Sequence, residues 1–146
     1  MNNGRLAAAA IAAAVVDFVY GFLVYGMLLR SEFGRYPAIY RPADDMSHMP
    51  YLMVGILIAA FAATYIYAKG YEGGAGVAEG ARFGACLGSF VVGYVAIVSF
   101  AVMNIGRKLA ASMAAAGFVE WLVLGMVIGL VYKPSSIAAP RKAARV

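Results

Sequence analysis

The sequence predicts an all-α integral membrane protein, a four-transmembrane-helix, up-down antiparallel bundle. Three observations carry that class. The chain is 64% apolar and only 13% charged, against about half and a quarter in an ordinary soluble domain. Four apolar runs, 6–29, 51–68, 83–105 and 109–132, are each of a length to cross a hydrocarbon core of about 30 Å, which takes roughly 20 helical residues. None of the runs alternates apolar and polar at period two, as the strands of a membrane barrel do. The same composition excludes a disordered chain, and the length fits one domain.

The elements follow in order. The first run comes after Met-Asn-Asn-Gly-Arg, a basic start like that of a secretory signal. A signal's apolar stretch covers about 7–15 residues, and this one is longer, so it reads as a retained first span. Asp17 is its one charged residue. Segment 30–50 is a polar loop with Arg30, Glu32, Arg35, Arg41, Asp44 and Asp45 between Pro37, Pro42 and Pro50. The second and third runs carry no charge, and between them lies a glycine-rich connection, 69–82. Gly106-Arg107-Lys108, after Asn104, is a tight turn that makes spans three and four an antiparallel hairpin. Glu120 is the single charge of the fourth run. The membrane domain therefore covers 1–132. From Lys133 a basic tail with Pro134, Pro140, Arg141, Lys142 and Arg145 reads as flexible.

Lys and Arg counts set the expected orientation. Arg5, Lys69, Arg82, Lys133, Arg141, Lys142 and Arg145 fall on one face, seven in all, and Arg30, Arg35, Arg41, Arg107 and Lys108 on the other, five. The excess puts both termini in the cytoplasm. Tyr36, Tyr40 and Tyr51 at one face, and Tyr65, Tyr67, Tyr71 and Tyr132 at the other, suit interfacial aromatic belts.

The stretch Tyr-Ile-Tyr-Ala-Lys-Gly-Tyr-Glu-Gly (65–73), then Glu-Gly-Ala-Arg-Phe-Gly (79–84) and Val-Tyr-Lys-Pro (131–134), resembles a group of small uncharacterised bacterial four-span membrane proteins of the domain-of-unknown-function type. The similarity runs from about Phe18 to Pro134 on short glycine and aromatic motifs. It implies a bacterial inner-membrane protein. It brings no established activity, so no catalytic residue is carried over.

Several motifs bear on chemistry. The glycine loop lacks the Gly-Lys-Ser/Thr of a phosphate-binding Walker loop, and Gly74-x-Gly76 is followed by Glu79 where a dinucleotide fingerprint needs its third glycine. Packing explains the glycines better. Gly80, Gly84 and Gly88 recur every fourth residue on one stripe, and Gly117, Gly125 and Gly129 form a second, interrupted by Trp121. Small residues at that spacing let helices in a bilayer approach closely. Met46, His48 and Met49, beside Asp44 and Asp45, are soft ligands that weakly suit reduced copper. Apolar filling at the start of a span is the routine role of such methionines, so no metal is assigned. One Cys, Cys86, allows no internal disulfide and, with one His, no zinc site.

Asp17 and Glu120 are the most informative residues, since each falls at the middle of its run with no Lys, Arg or His inside any span. A carboxylate at that depth costs several kcal/mol unless protonated, paired or wetted. Asp17 shares its helical face with Ala10, Ala13, Ala14 and Gly21, small neighbours that point to another helix. Adjacent first and fourth spans would bring the two acids together as a coupled pair. Tyr94, at the same depth, offers a hydroxyl to either. The alternative is that both acids stay protonated and serve as interhelical donors. A local echo, Val16-Asp17-Phe18-Val19 against Val119-Glu120-Trp121-Leu122, hints at an inverted relation of the halves.

No His-Glu-x-x-His, Gly-x-Ser-x-Gly or Cys/His pairing supports catalysis. The net charge of +5 is spread over both faces, which suits anionic lipid and not nucleic acid. The expected function is therefore non-enzymatic and without cofactor: helix association, as a homo-oligomer or an accessory subunit of a larger membrane complex, with the lipid bilayer and other membrane subunits as partners. The runner-up is a small proton- or cation-coupled transporter using Asp17 and Glu120, and an intramembrane enzyme comes third.

Overall fold

The structure is a computed structural model and describes residues 2–42 and 44–132, so the basic tail and Ala43 lie outside the described residues. Every regular element among the described residues is helical. Four helices are long and apolar enough to cross a membrane: α1 (Asn3–Leu28), α3 (Met46–Lys69), α4 (Gly76–Val102) and α5 (Arg107–Tyr132). A one-turn helix, α2 (Arg30–Phe33), follows α1.

Local chemistry sets the boundaries. The Asn2 side chain caps α1 by accepting the Arg5 N–H at 3.1 Å, meeting a donor that the first turn leaves free. The Asp45 carboxylate accepts the Ser47 N–H at 3.0 Å and starts α3; α winding begins at Met49, where Pro50 in its first turn costs no hydrogen bond. α4 begins at Gly76, nearly two turns before the expected start at 83. The sequence expectation stopped at the charges of Glu79 and Arg82. Glu79 is nonetheless tolerated inside the first turn, because its carboxylate accepts from backbone N–H groups of the preceding loop, Glu72 at 2.7 Å and Gly74 at 2.8 Å. Gly73, at φ +86°, makes the turn of that loop possible.

Two stretches depart from regular α winding. Phe22–Leu28 in α1 and Val91–Ile97 in α4 are wound as wider π-helix, a form that is rare and tends to occur at functional positions.

The packing is dominated by α4 against α5, with α1 lying against both α3 and α5. α4 and α5 run in opposite directions, because Gly76, Gly80, Gly84 and Gly88 meet Gly129, Gly125, Leu122 and Phe118 in turn. A Cβ on Gly80 would overlap the Gly125 carbonyl, and one on Gly129 would overlap that of Gly76. The glycine stripe of span three is thus consumed within the chain. Gly117 is separate: it faces Val91 of α4 and the Tyr25 hydroxyl of α1. Trp121 does not break the α5 contact, since its backbone carbonyl is what Gly84 touches. Ala9, Ala10, Ala13 and Ala14 give α1 an equally small buried face.

At the end with the 70–75 loop, aromatic rings fill the space between the helices. There Tyr67 packs edge-on against Phe83 at 5.3 Å and Tyr132 at 5.9 Å. At the opposite end the polar loop is pinned to the α4–α5 turn. The Lys108 ammonium meets the Glu32 carboxylate, and the Gly106 N–H donates to the Tyr36 hydroxyl at 2.9 Å. Arg35 lies 3.5 Å from the other Glu32 oxygen. These neighbours, the Lys108 hydrogen bond first, hold the Glu32 carboxyl below its ordinary value.

Candidate functional site: an acid pair between two helices

The side chains of Asp17 of α1 and Glu120 of α5 face each other across the seam between these helices. The helices bring them together because α1 and α5 also run in opposite directions: Asp17 meets Glu120, Tyr20 meets Ala116, and Glu32 meets Lys108. A carboxylate only accepts hydrogen bonds, so two carboxyls can bond each other only when one of them carries a proton.

Two tyrosines complete the cluster. The Tyr25 hydroxyl donates to Glu120 Oε2 at 2.9 Å, reaching back over the preceding turn as helical side chains do. The Tyr20 hydroxyl donates to the Ala116 carbonyl at 2.9 Å, one turn before Glu120. Their rings touch edge-to-face at 6.3 Å. Tyr25 belongs to the wide Phe22–Leu28 stretch, and its hydroxyl passes beside Gly117, 3.8 Å from where a Cβ would stand. Both acids and both tyrosines are part-buried rather than enclosed.

Tyr94 does not join them. It is 67% exposed and stacks on Phe90 at 5.7 Å on the outer face of α4. Depth alone suggested it; direction excludes it. Tyr20 and Tyr25 were the hydroxyls to choose, because they lie three and eight residues after Asp17, on its own helical face.

The Met46, His48 and Met49 candidates sit at the start of α3. Met46 is 61% exposed, and the Ser47 hydroxyl lies between Asp45 and His48, 2.7 Å from Nδ1 of the imidazole. The Ser47 hydroxyl and N–H hold the Asp45 carboxyl below its ordinary range. Among the described residues no group of three or more His, Cys, Asp or Glu side chains is gathered as a metal site.

Sequence reasoning missed two polar features, the Glu32–Lys108 pair and Glu79. No helical spacing links Glu32 to Lys108, and Glu79 looked like one more loop charge. No protein-family model, curated protein or solved structure matches the chain.

Proposed function

We propose that the chain is a non-enzymatic integral membrane protein, an up-down antiparallel bundle that acts by helix association, as a homo-oligomer or as an accessory subunit of a larger membrane complex. The observation that carries this reading is the incomplete cover of the Asp17–Glu120 pair, which the chain's own helices leave part-buried. A carboxyl left partly open to hydrocarbon costs free energy. A further helix laid over the α1–α5 seam would complete the cover. Gly55 and Gly93 present small surface with nothing within 4 Å of a Cβ, the kind of position at which another helix can approach closely. The test is the mass of the purified chain in a gentle detergent. An oligomer or a stoichiometric partner is expected, and a lone monomer at every detergent tried would overturn the proposal.

The second reading is a small proton- or cation-coupled transporter. It is favoured by one specific feature, two carboxyls facing each other midway along their helices, which can bond each other only by sharing a proton. Vesicles carrying an internal pH dye separate the two. Transport predicts a proton flux that Asp17→Asn or Glu120→Gln abolishes while the assembled mass is kept; association predicts no flux above protein-free vesicles.

The setting we propose is the bacterial inner membrane, which rests on the resemblance of the 65–73 and 79–84 motifs. Both termini are placed in the cytoplasm by the seven-to-five excess of Lys and Arg.

A further inference from the structure

Where α3 ends and α4 begins, an open cleft of about 330 Å³ is lined by Tyr67, Gly70, Glu72, Glu79, Arg82 and Phe83. Its walls carry both signs of charge. Glu79 is 7% exposed, and its two oxygens are held by the Glu72 and Gly74 N–H groups. The exposed Glu72 carboxylate lies on the same rim. Arg82, nearly one turn after Glu79 and also exposed, pairs with no carboxylate among the described residues. Lys69 takes no part; its ammonium lies over the Tyr65 ring, 5.5 Å from the centroid.

Tyr67 supplies an independent sign. It is 3% exposed, and its hydroxyl has no hydrogen-bond partner. Buried hydroxyls are almost always satisfied, so an orphan one on a residue that lines the cleft marks a place short of a polar partner.

Position narrows the ligand. The cleft lies at the shared end of two membrane-crossing helices, the depth at which lipid headgroups stand. Two of its lining residues, Tyr67 and Phe83, pack edge-on and belong to the apolar helices α3 and α4. A purely anionic headgroup would face Glu72 and Glu79, and a purely cationic one would face Arg82. A headgroup bearing both charges side by side matches the walls.

We propose that this cleft binds the headgroup of a phospholipid carrying a primary ammonium beside its phosphate, with the ammonium on the Glu72 and Glu79 carboxylates and the phosphate on the Arg82 guanidinium. A primary ammonium donates hydrogen bonds to carboxylates, which a trimethylated one cannot do. The site therefore discriminates ethanolamine from choline headgroups of equal net charge.

The test uses the full chain purified in mild detergent, with dioleoyl phosphatidylethanolamine, phosphatidylcholine or phosphatidylglycerol added at equal mole ratio and bound lipid counted by native mass spectrometry. The ethanolamine lipid is expected to be retained about tenfold over either other, the ratio that one charge-assisted hydrogen bond supports. Glu72→Gln and Arg82→Gln change exposed side chains, so each is expected to keep the parent's melting point while bringing that ratio towards one. Equal retention of all three lipids, stronger retention of phosphatidylglycerol or phosphatidylcholine, or a preference that survives both substitutions would overturn the proposal. So would displacement of the lipid by soluble O-phosphoethanolamine at equal concentration, which would make the ligand a free metabolite.

Discussion

A Cβ on Gly125 would lie 2.6 Å from the α-carbon of Gly84, so the backbones of α4 and α5 touch where any side chain would part them. The neighbours that would have to move are main chain, which cannot rotate aside as a side-chain tip can. Gly84→Leu and Gly125→Ala should therefore lower thermal stability in detergent by at least the upper end of the roughly 1–3 kcal/mol typical of overpacking. Gly55→Ala is the control, with nothing within 4 Å of the added carbon. It should be neutral, or stabilise by up to about 1 kcal/mol through helix propensity. Comparable small effects from all three would mean that the close α4–α5 contact does not hold the fold.

Glu120 stands between two partners, accepting from the Tyr25 hydroxyl and facing the Asp17 carboxyl. Glu120→Gln keeps an oxygen for Tyr25 and an N–H for Asp17, whereas Glu120→Leu keeps neither and leaves both partners unsatisfied. The leucine variant should lose about 1–3 kcal/mol, the cost of stranding a buried polar group, and the glutamine variant a small fraction of it. Tyr25→Phe, which deletes one donor, should fall between, at about 0.6–2 kcal/mol. Melting curves in one detergent decide the order, and a leucine variant as stable as the parent would remove the cluster's structural role.

The contrast between these two interfaces explains what the sequence disclosed. The glycines were legible because close helix packing leaves a periodic mark, every fourth residue at Gly80, Gly84 and Gly88. The acids were legible because a charge is rare at mid-span. The partners of Glu120 were less so. Tyr94 has the right depth and the wrong face, and only the facing of α1 onto α5 shows that Tyr25 reaches the acid. The α4 start was misjudged for a related reason: Glu79 reads as a loop charge until its backbone donors at Glu72 and Gly74 are known. Glu32 and Lys108 are joined by the packing of α1 against α5, which no local pattern encodes.

That ion pair gives the chain a pH dependence of known sign. Glu32 in the folded chain ionises below its ordinary value of 4.5, chiefly through the hydrogen bond from Lys108. The unfolded chain binds the proton more readily, so the pair's contribution is fully present above about pH 4.5 and fades as pH falls through the depressed folded value. The parent's melting point should drop between about pH 5 and 3 by more than that of Glu32→Gln, and the two should converge at the acid end. Lys108 is 71% exposed on its side chain, so about 1 M salt should shrink the difference. A Glu32→Gln variant with the parent's acid profile would show that the pair contributes nothing.

The proposed orientation can be checked at opposite ends of the same two helices. The polar loop and the α4–α5 turn share a face through Glu32 and Lys108, while Glu72 lies at the far ends of α3 and α4. In a Cys86→Ala background, Ser47→Cys should react with a membrane-impermeant maleimide on intact cells, and Glu72→Cys should react only after the membrane is opened. Both positions are exposed, so a failure to label reports sidedness and not burial. The reverse pattern would invert the chain and place both termini outside. It would also show that the excess of seven positive charges over five, four of the seven in the tail from Lys133, does not govern insertion; charge close to the span ends would then outweigh it, since that is where the positive-inside bias acts.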